Sequence, residues 1–209
     1  MTELQAINQM LAAVGQMPVT SIDLDQNDNP TNPDVAMAQE TLNQVSREVQ
    51  AEGWTFNREF YYPFTPDIND EIIIPPNVLQ LDLSLEVVSN LGKNSIRRVD
   101  PEDGKPKLYD KTAHTYKWDC QVYCDVLWLF VWDELPQPIV DYIINKASAL
   151  FSQRVIGNAE QYQILTAKSE QCRAYALEYE TQQGDYTFFG HPVGGNYYQS
   201  YKPFHALYR

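Results

Sequence analysis

The chain has no phosphate-binding loop. Neither Gly-x-x-x-x-Gly-Lys nor Gly-x-Gly-x-x-Gly occurs in its 209 residues, so the backbone cradle of nucleotide sites is missing. Serine-elbow and His-Glu-x-x-His patterns are missing as well. No apolar run approaches the roughly 18 residues of a membrane span. The start, Met1 to Leu11, has no basic or strongly apolar stretch, so no secretory signal is expected there. Cysteine is scarce: Cys120, Cys124 and Cys172 are an odd set. On a strand the first two would lie about 13 Å apart, too far to bridge, and no Cys/His spacing suits zinc. All three are expected to be reduced, mostly buried thiols of a reducing cytoplasm. Bases are few, 15 against 28 acids, for a net charge of −13. Such a surface cannot wrap nucleic acid broadly, because phosphate binding needs clustered Lys and Arg. It suits a wall along which DNA slides without sticking.

What remains is a globular composition, 44% apolar and 21% charged, with enough length for a real core. Helical signals sit at the two ends. Thr2 with Gln5 forms a capping box ahead of Leu4, Ile7, Leu11 and Val14, and Gly15 stops the run. Asn32 and Pro33 read as N-cap and first turn of a second helix. Its stripe of Val35, Ala38, Leu42, Val45 and Val49 makes a narrow helix-packing seam ending at Gly53. Pro138 opens a third run with Ile139, Val140, Ile143, Ile144, Ala147, Leu150 and Phe151. After Gly157, an Asn158/Gln161 cap starts a fourth, through Tyr162, Leu165, Cys172, Ala176 and Tyr179, to Gly184.

The middle changes period. Trp54–Tyr62 reads as an aromatic strand, and Glu71–Ile74 and Val78–Val88 as short extended runs. Gln121–Trp132 is the strongest strand signal, with Val122, Cys124, Val126, Trp128, Phe130 and Trp132 on one face. Its other face is also largely apolar, so both are expected to be covered. The predicted class is α+β: a four-helix bundle from 1–53 and 133–184 with an antiparallel β insertion at 54–132. Residues 185–209 carry eight aromatics and four glycine or proline breaks by 195. They read as an interface-docked tail.

Chemistry-bearing patterns are weak. His114, His191 and His205 are scattered and read as surface or turn histidines. Asp23, Asp25 and Asn27 imitate a calcium loop, but Asp28 replaces the required glycine and Asp34 the bidentate glutamate. Glu48 with Glu52, or Asp67 with Asp70 and Glu71, are carboxylate pairs of the kind a glycoside hydrolase uses; with 28 acids, chance and a solvated face account for them better. No metal and no cofactor is expected. One charge feature departs from the background. Lys93, Arg97, Arg98, Lys105, Lys107, Lys111 and Lys117 face only Asp100, Glu102, Asp103 and Asp110 within 92–117. That hairpin or long loop is +3, leaving −16 on the rest.

Four stretches carry a family resemblance: Met10–Thr20 (MLAAVGQMPVT); Leu42–Asn57, ending Gly-Trp-Thr-Phe-Asn; Tyr109-Asp110-Lys111-Thr112; and Asp133–Gly157. On these the sequence resembles the tail tubular protein A family, adaptor or gatekeeper ring proteins of autographivirus-type short-tailed phages. The resemblance implies a helical bundle plus a β region. It also implies a twelve-subunit ring between portal protein and tail nozzle (tubular protein B), with tail fibres attached nearby and viral DNA in the lumen. Synthesis would be in the host cytoplasm and the final location the virion tail, with no membrane partner. Some relatives are described as degrading wall material or polysaccharide; no constellation here supports carrying that over. The expected contact residues are Trp54, Phe56, Tyr61, Tyr62, Lys93, Arg97, Arg98, Tyr109, Trp128, Phe130 and Trp132. In the tail they are Phe188, Phe189, Tyr197, Tyr198, Tyr201 and Phe204.

Overall fold

A computed structural model describes residues 1–24, 30–84 and 93–183. Helix α1 (Glu3–Ala13) opens on the expected box: Gln5 N–H donates to Thr2 Oγ1 and Thr2 N–H to Gln5 Oε1. Helix α2 (Pro33–Ala51) is capped by Asn32, whose Oδ1 accepts from Asp34 N–H at 2.9 Å. Its five stripe residues are all fully or almost fully buried. Helix α3 (Gln137–Val155) packs against the other three helices and buries eleven residues. Helix α4 (Ala159–Gln183) starts where Asn158 Oδ1 accepts from Glu160 N–H.

Helices α1, α2 and α3 pack on one another, and their stripes form one core with Trp54, Leu135 and Ala176. Helix α4 behaves differently. It lies along α3 but buries fully only Ser169 and Ala176, because its apolar residues are spread around the helix rather than along one stripe. Between α2 and α4 runs a cleft of about 430 Å³ with Ala149 and Leu150 on its floor. The helices therefore number four among the described residues, three sharing a core and one laid against α3.

The β region has its own core. Strands β1 (Arg58–Phe64), β2 (Val78–Leu83) and β5 (Val122–Trp128) form an antiparallel sheet in the order β1-β5-β2, and β3 (Ser95–Val99) with β4 (Pro106–Asp110) makes a separate hairpin. Leu108 of β4 and Trp118 join the sheet's Val122, Cys124 and Val126 in this core. The Trp118 indole N–H donates to the Leu108 carbonyl at 2.9 Å.

Three expectations need correction. The aromatic strand begins at Arg58 rather than Trp54, because Thr55–Asn57 closes a 3-10 turn in which Asn57 Oδ1 accepts from Trp54 N–H. The long strand ends at Trp128, so Phe130 and Trp132 leave the sheet and pack against the helical core. Its reverse face is covered at Leu127 but open at Tyr123 and at Val131 beyond its end. Among the cysteines Cys124 is buried, and burial pushes its thiol up to about 12. Cys172 is half-buried and Cys120 is exposed, which corrects the expectation for Cys120; all three are free thiols.

The helical core predicts its own sensitivity. Leu42 is fully buried at the centre of α2, so Leu42→Ala should lose about 3 kcal/mol of unfolding free energy, measured by urea denaturation followed by circular dichroism.

Candidate assembly surfaces

The Gly-Trp-Thr-Phe-Asn signature builds the joint between helices and sheet. Gly53 ends α2 at a φ of +81°, and a Cβ there would collide with the Arg58 guanidinium. That geometry admits glycine almost alone. Trp54 then turns inward, its indole N–H donating to the Val49 carbonyl at 2.7 Å. Asn57, fully buried, donates from Nδ2 to the carbonyls of Gln50 and Trp128, both at 2.9 Å. Gln50, also fully buried, takes both backbone groups of Phe130: Phe130 N–H donates to Oε1 at 2.8 Å and Nε2 donates to the carbonyl at 3.1 Å. Two side-chain amides thus clamp the end of α2 to the exit of β5. Phe56 and Phe130 stack obliquely beside them, 6.0 Å between centroids. The α4 end is fastened to the same joint, since Thr55 donates from backbone and hydroxyl to Glu180 Oε1.

The predicted contact residues divide accordingly. Trp54 belongs to the core and offers no open surface. Phe56, Phe130 and Trp132 are half-buried in the joint, Trp132 donating to the Met1 carbonyl at 2.9 Å. Tyr61 and Tyr62 are exposed on β1, and so is Phe60, at 57% the most open of the three, which sequence reading passed over. Tyr61 sits at a β-bulge with a φ of 58°, its N–H donating to Asp125 Oδ1. Tyr62 stacks edge-on against Phe64 and Trp128, each 5.1 Å away, and the Trp128 indole donates to Glu59 Oε2. Phe188, Phe189, Tyr197, Tyr198, Tyr201 and Phe204 lie outside the described residues, as do His191 and His205 and the calcium-like Asp25, Asn27 and Asp28.

Much of the basic segment is neutralised internally. Lys107, with a side chain only 4% exposed, contacts Glu71 at 2.6 Å, Asp100 at 2.7 Å and Asp103 at 2.8 Å. Those carboxylates hold its ammonium above the usual lysine range, and the ammonium's hydrogen bonds in turn hold Asp100 and Asp103 below the usual aspartate range. Lys93 pairs with Asp119 at 2.8 Å and lies over the Trp118 ring. Arg97 donates to the Val78 carbonyl at 2.7 Å, pinning the hairpin to the sheet. Arg98 lies over Tyr109, 5.0 Å from the ring centroid.

The candidate carboxylate pairs are engaged in structure. Glu48 is 3.7 Å from Lys146 and accepts from Gln44. Glu52 meets Arg173 at 3.3 Å and the Tyr142 hydroxyl at 3.2 Å. Asp67 accepts the amides of Glu71 and Asn69, and these bonds hold its carboxyl below the usual aspartate range, opposite to the raised pKa a general acid requires. Glu71 is locked to Lys107. His114 occupies an exposed turn at a φ of 54°. Asp34 accepts from Gln16 beside the α2 cap. No cluster of three metal-ligating side chains occurs among the described residues, and no helix there is long and apolar enough to cross a membrane.

Two outcomes follow from the joint and the hairpin. Asn57→Ala strands Trp54 N–H and two carbonyls in a buried site, and is expected to cost about 3 kcal/mol by chemical denaturation, with helix content retained. The depressed Asp67, Asp100 and Asp103 place their stabilisation above the ordinary aspartate value of 3.8. A depressed folded-state value means stability is complete above that pH and falls as acid protonates the folded carboxylates. Thermal unfolding should thus show no loss from these groups between neutral pH and about 4, and a progressive loss below.

The surface is therefore one of exposed aromatics, an open cleft and segregated charge, held by a rigid joint, and the described residues show no converging catalytic set. A search of curated proteins finds no match. The family model described as tail tubular protein matches residues 4–186, which includes both ends of the joint and all of the described elements but Glu3. This chain belongs to the tail tubular protein family, and is a structural component of a bacteriophage tail.

Proposed function

We propose that the protein is a non-enzymatic subunit of an adaptor ring set between the portal protein and the tail nozzle of a short-tailed phage. Copies packed side by side around an axis would enclose the passage for viral DNA and help seat the tail fibres. The observation that carries this reading is the Gln50–Asn57 joint within a chain of the tail tubular family. It fixes the helical and β regions relative to one another, as a subunit bearing load between two partners requires. The supporting features are open patches on both regions, Phe60, Tyr61 and Tyr62 on the sheet and Ile164 and Tyr175 on α4. Interfaces are enriched in such aromatics. A heterologous contact that closes on rotation turns one subunit design into a ring. The net charge of −13, multiplied around a lumen, would repel the DNA backbone and keep it from sticking. Twelve copies is the number the family resemblance implies.

Electron microscopy of the purified chain, alone and mixed with portal protein, tests this. The expected image is a closed ring with a central opening that stacks coaxially on the portal. Deleting residues 185–209 is expected to weaken ring formation or portal docking while far-ultraviolet circular dichroism stays helical. A chain that stays monomeric at every concentration, and binds neither portal nor nozzle, overturns the proposal.

A further inference from the structure

We propose that, within such a ring, the outward face of the β3–β4 hairpin docks on the outward face of α4 in the next copy, basic side against acidic side. The inference rests on the ring reading and specifies which two surfaces of the chain meet.

The hairpin face is preorganised for a partner. Strand alternation puts Ile96 and Arg98 on the same side of β3, and the register sets them opposite Tyr109 and Lys107. The Arg98 guanidinium lies over Tyr109, whose ring meets Tyr116 edge-on at 4.9 Å. Arginine fixed on tyrosine is typical of interface hot spots, and Ile96 beside it is 45% exposed. Lys107 and Lys93 take the nearby carboxylates. Arg98, Lys105, Lys111 and Lys117 form no ion pair among the described residues. With Glu71 and Asp119 counted in, the segment still holds seven bases against six acids, a net of +1 in a chain where acids outnumber bases almost two to one.

Helix α4 presents the complement. Ile164 and Tyr175 are eleven residues apart, three helical turns, and so lie on one face; they are 65% and 57% exposed. Glu160 precedes Ile164 by four residues and Glu178 follows Tyr175 by three, placing a carboxylate at each end of the same stripe. Both are exposed and neither forms an ion pair among the described residues. Lys168 is the one base near that stripe, against the wider acidity of the helical segments: 1–53 and 133–183 hold fifteen acids and five bases.

Electrostatics selects this pairing. Copies of charge −13 repel, so a contact between them needs local opposite charge. Among the described residues the hairpin supplies it, and α4 offers an acidic surface with an exposed apolar centre. The two patches differ from one another, so their contact is heterologous, the type that generates a ring.

The test uses the full chain and reads its mass distribution by sedimentation and mass photometry at low and high salt. Two variants carry charge reversals, Arg98→Glu with Lys105→Glu, and Glu160→Lys with Glu178→Lys. Each alone is expected to weaken self-association about tenfold or more, while an equimolar mixture recovers it. Wild-type assembly should weaken as salt rises. Arg98→Gln removes charge without inserting the opposite one, and should shift association the same way by less. It keeps the test valid should the double reversal disturb the hairpin, which hydrogen exchange at Leu108 monitors. Variants that assemble like wild type, or a mixture that stays dissociated, overturn the docking pair while leaving the ring intact. Loss of duplex-DNA binding with assembly unchanged also overturns it, and assigns the hairpin to nucleic acid. A wild-type chain monomeric under all conditions overturns the ring reading itself.

Discussion

Two buried amides hold this protein in one piece. Gln50 and Asn57 are fully buried at the end of α2 and just past it, and between them bind backbone at Trp54, Trp128 and Phe130. Without them the helical core and the β core would be joined by chain connectivity, the packing of Phe56, Phe130 and Trp132, and the Thr55–Glu180 bonds. A buried amide left without partners is costly, so each bond excludes the alternatives in which the sheet swings relative to the helices. Hydrophobic packing alone would be less selective, since greasy surfaces slide over one another at small cost. The polar joint sets direction; the apolar cores on either side of it supply most of the stability.

Charge is distributed with the same economy. The chain carries 28 acids, yet three of them are gathered on Lys107 in the β region. That cluster ties the loop at Glu71 to the β3–β4 turn and buries the Lys107 ammonium among its carboxylates. What stays outside is an acidic helical region and a hairpin whose remaining cations point outward. Had the cations been scattered among the acids, the molecule would be uniformly repulsive toward its own copies. Separation permits a directional attraction without changing the net charge, which continues to repel phosphate.

Local signals were legible in the sequence. The Thr2/Gln5 box, the Asn32–Pro33 cap, the α2 stripe and the Pro138 opening each depend on residues within one or two turns, and all are found in place. The strand limits were not legible, because they are set from far along the chain. Nothing near Phe130 says that Gln50, eighty residues earlier, will take its backbone and end β5 at Trp128. For the same reason Trp54 reads as a surface aromatic until Val49 and Asn57 claim its donors. The candidate surfaces were half visible. The basic run was evident from composition, but its partition into one buried lysine and several open cations follows from Glu71, which arrives from another loop. Phe60 was overlooked because strand alternation hid it beside two tyrosines, and the bulge at Tyr61 breaks that alternation.

Helix α4 shows most clearly how incomplete burial points outward. A helix of 25 residues that buries fully only a serine and an alanine gains little from its own fold, since small side chains remove little apolar area from water. Its anchors are instead at its ends and along one side: Gln161 on the Ala13 carbonyl, Arg173 on Glu52, Glu180 on Thr55. Those contacts orient the helix, and they leave Ile164 and Tyr175 on one face in solvent. A solitary exposed apolar residue is ordinary. A rigidly oriented helix with large apolar side chains outward is a different matter, because the anchoring bonds fix a face that the other described residues do not cover. On the docking proposed above, the neighbouring copy covers that face, and the cost of leaving it bare is recovered on assembly.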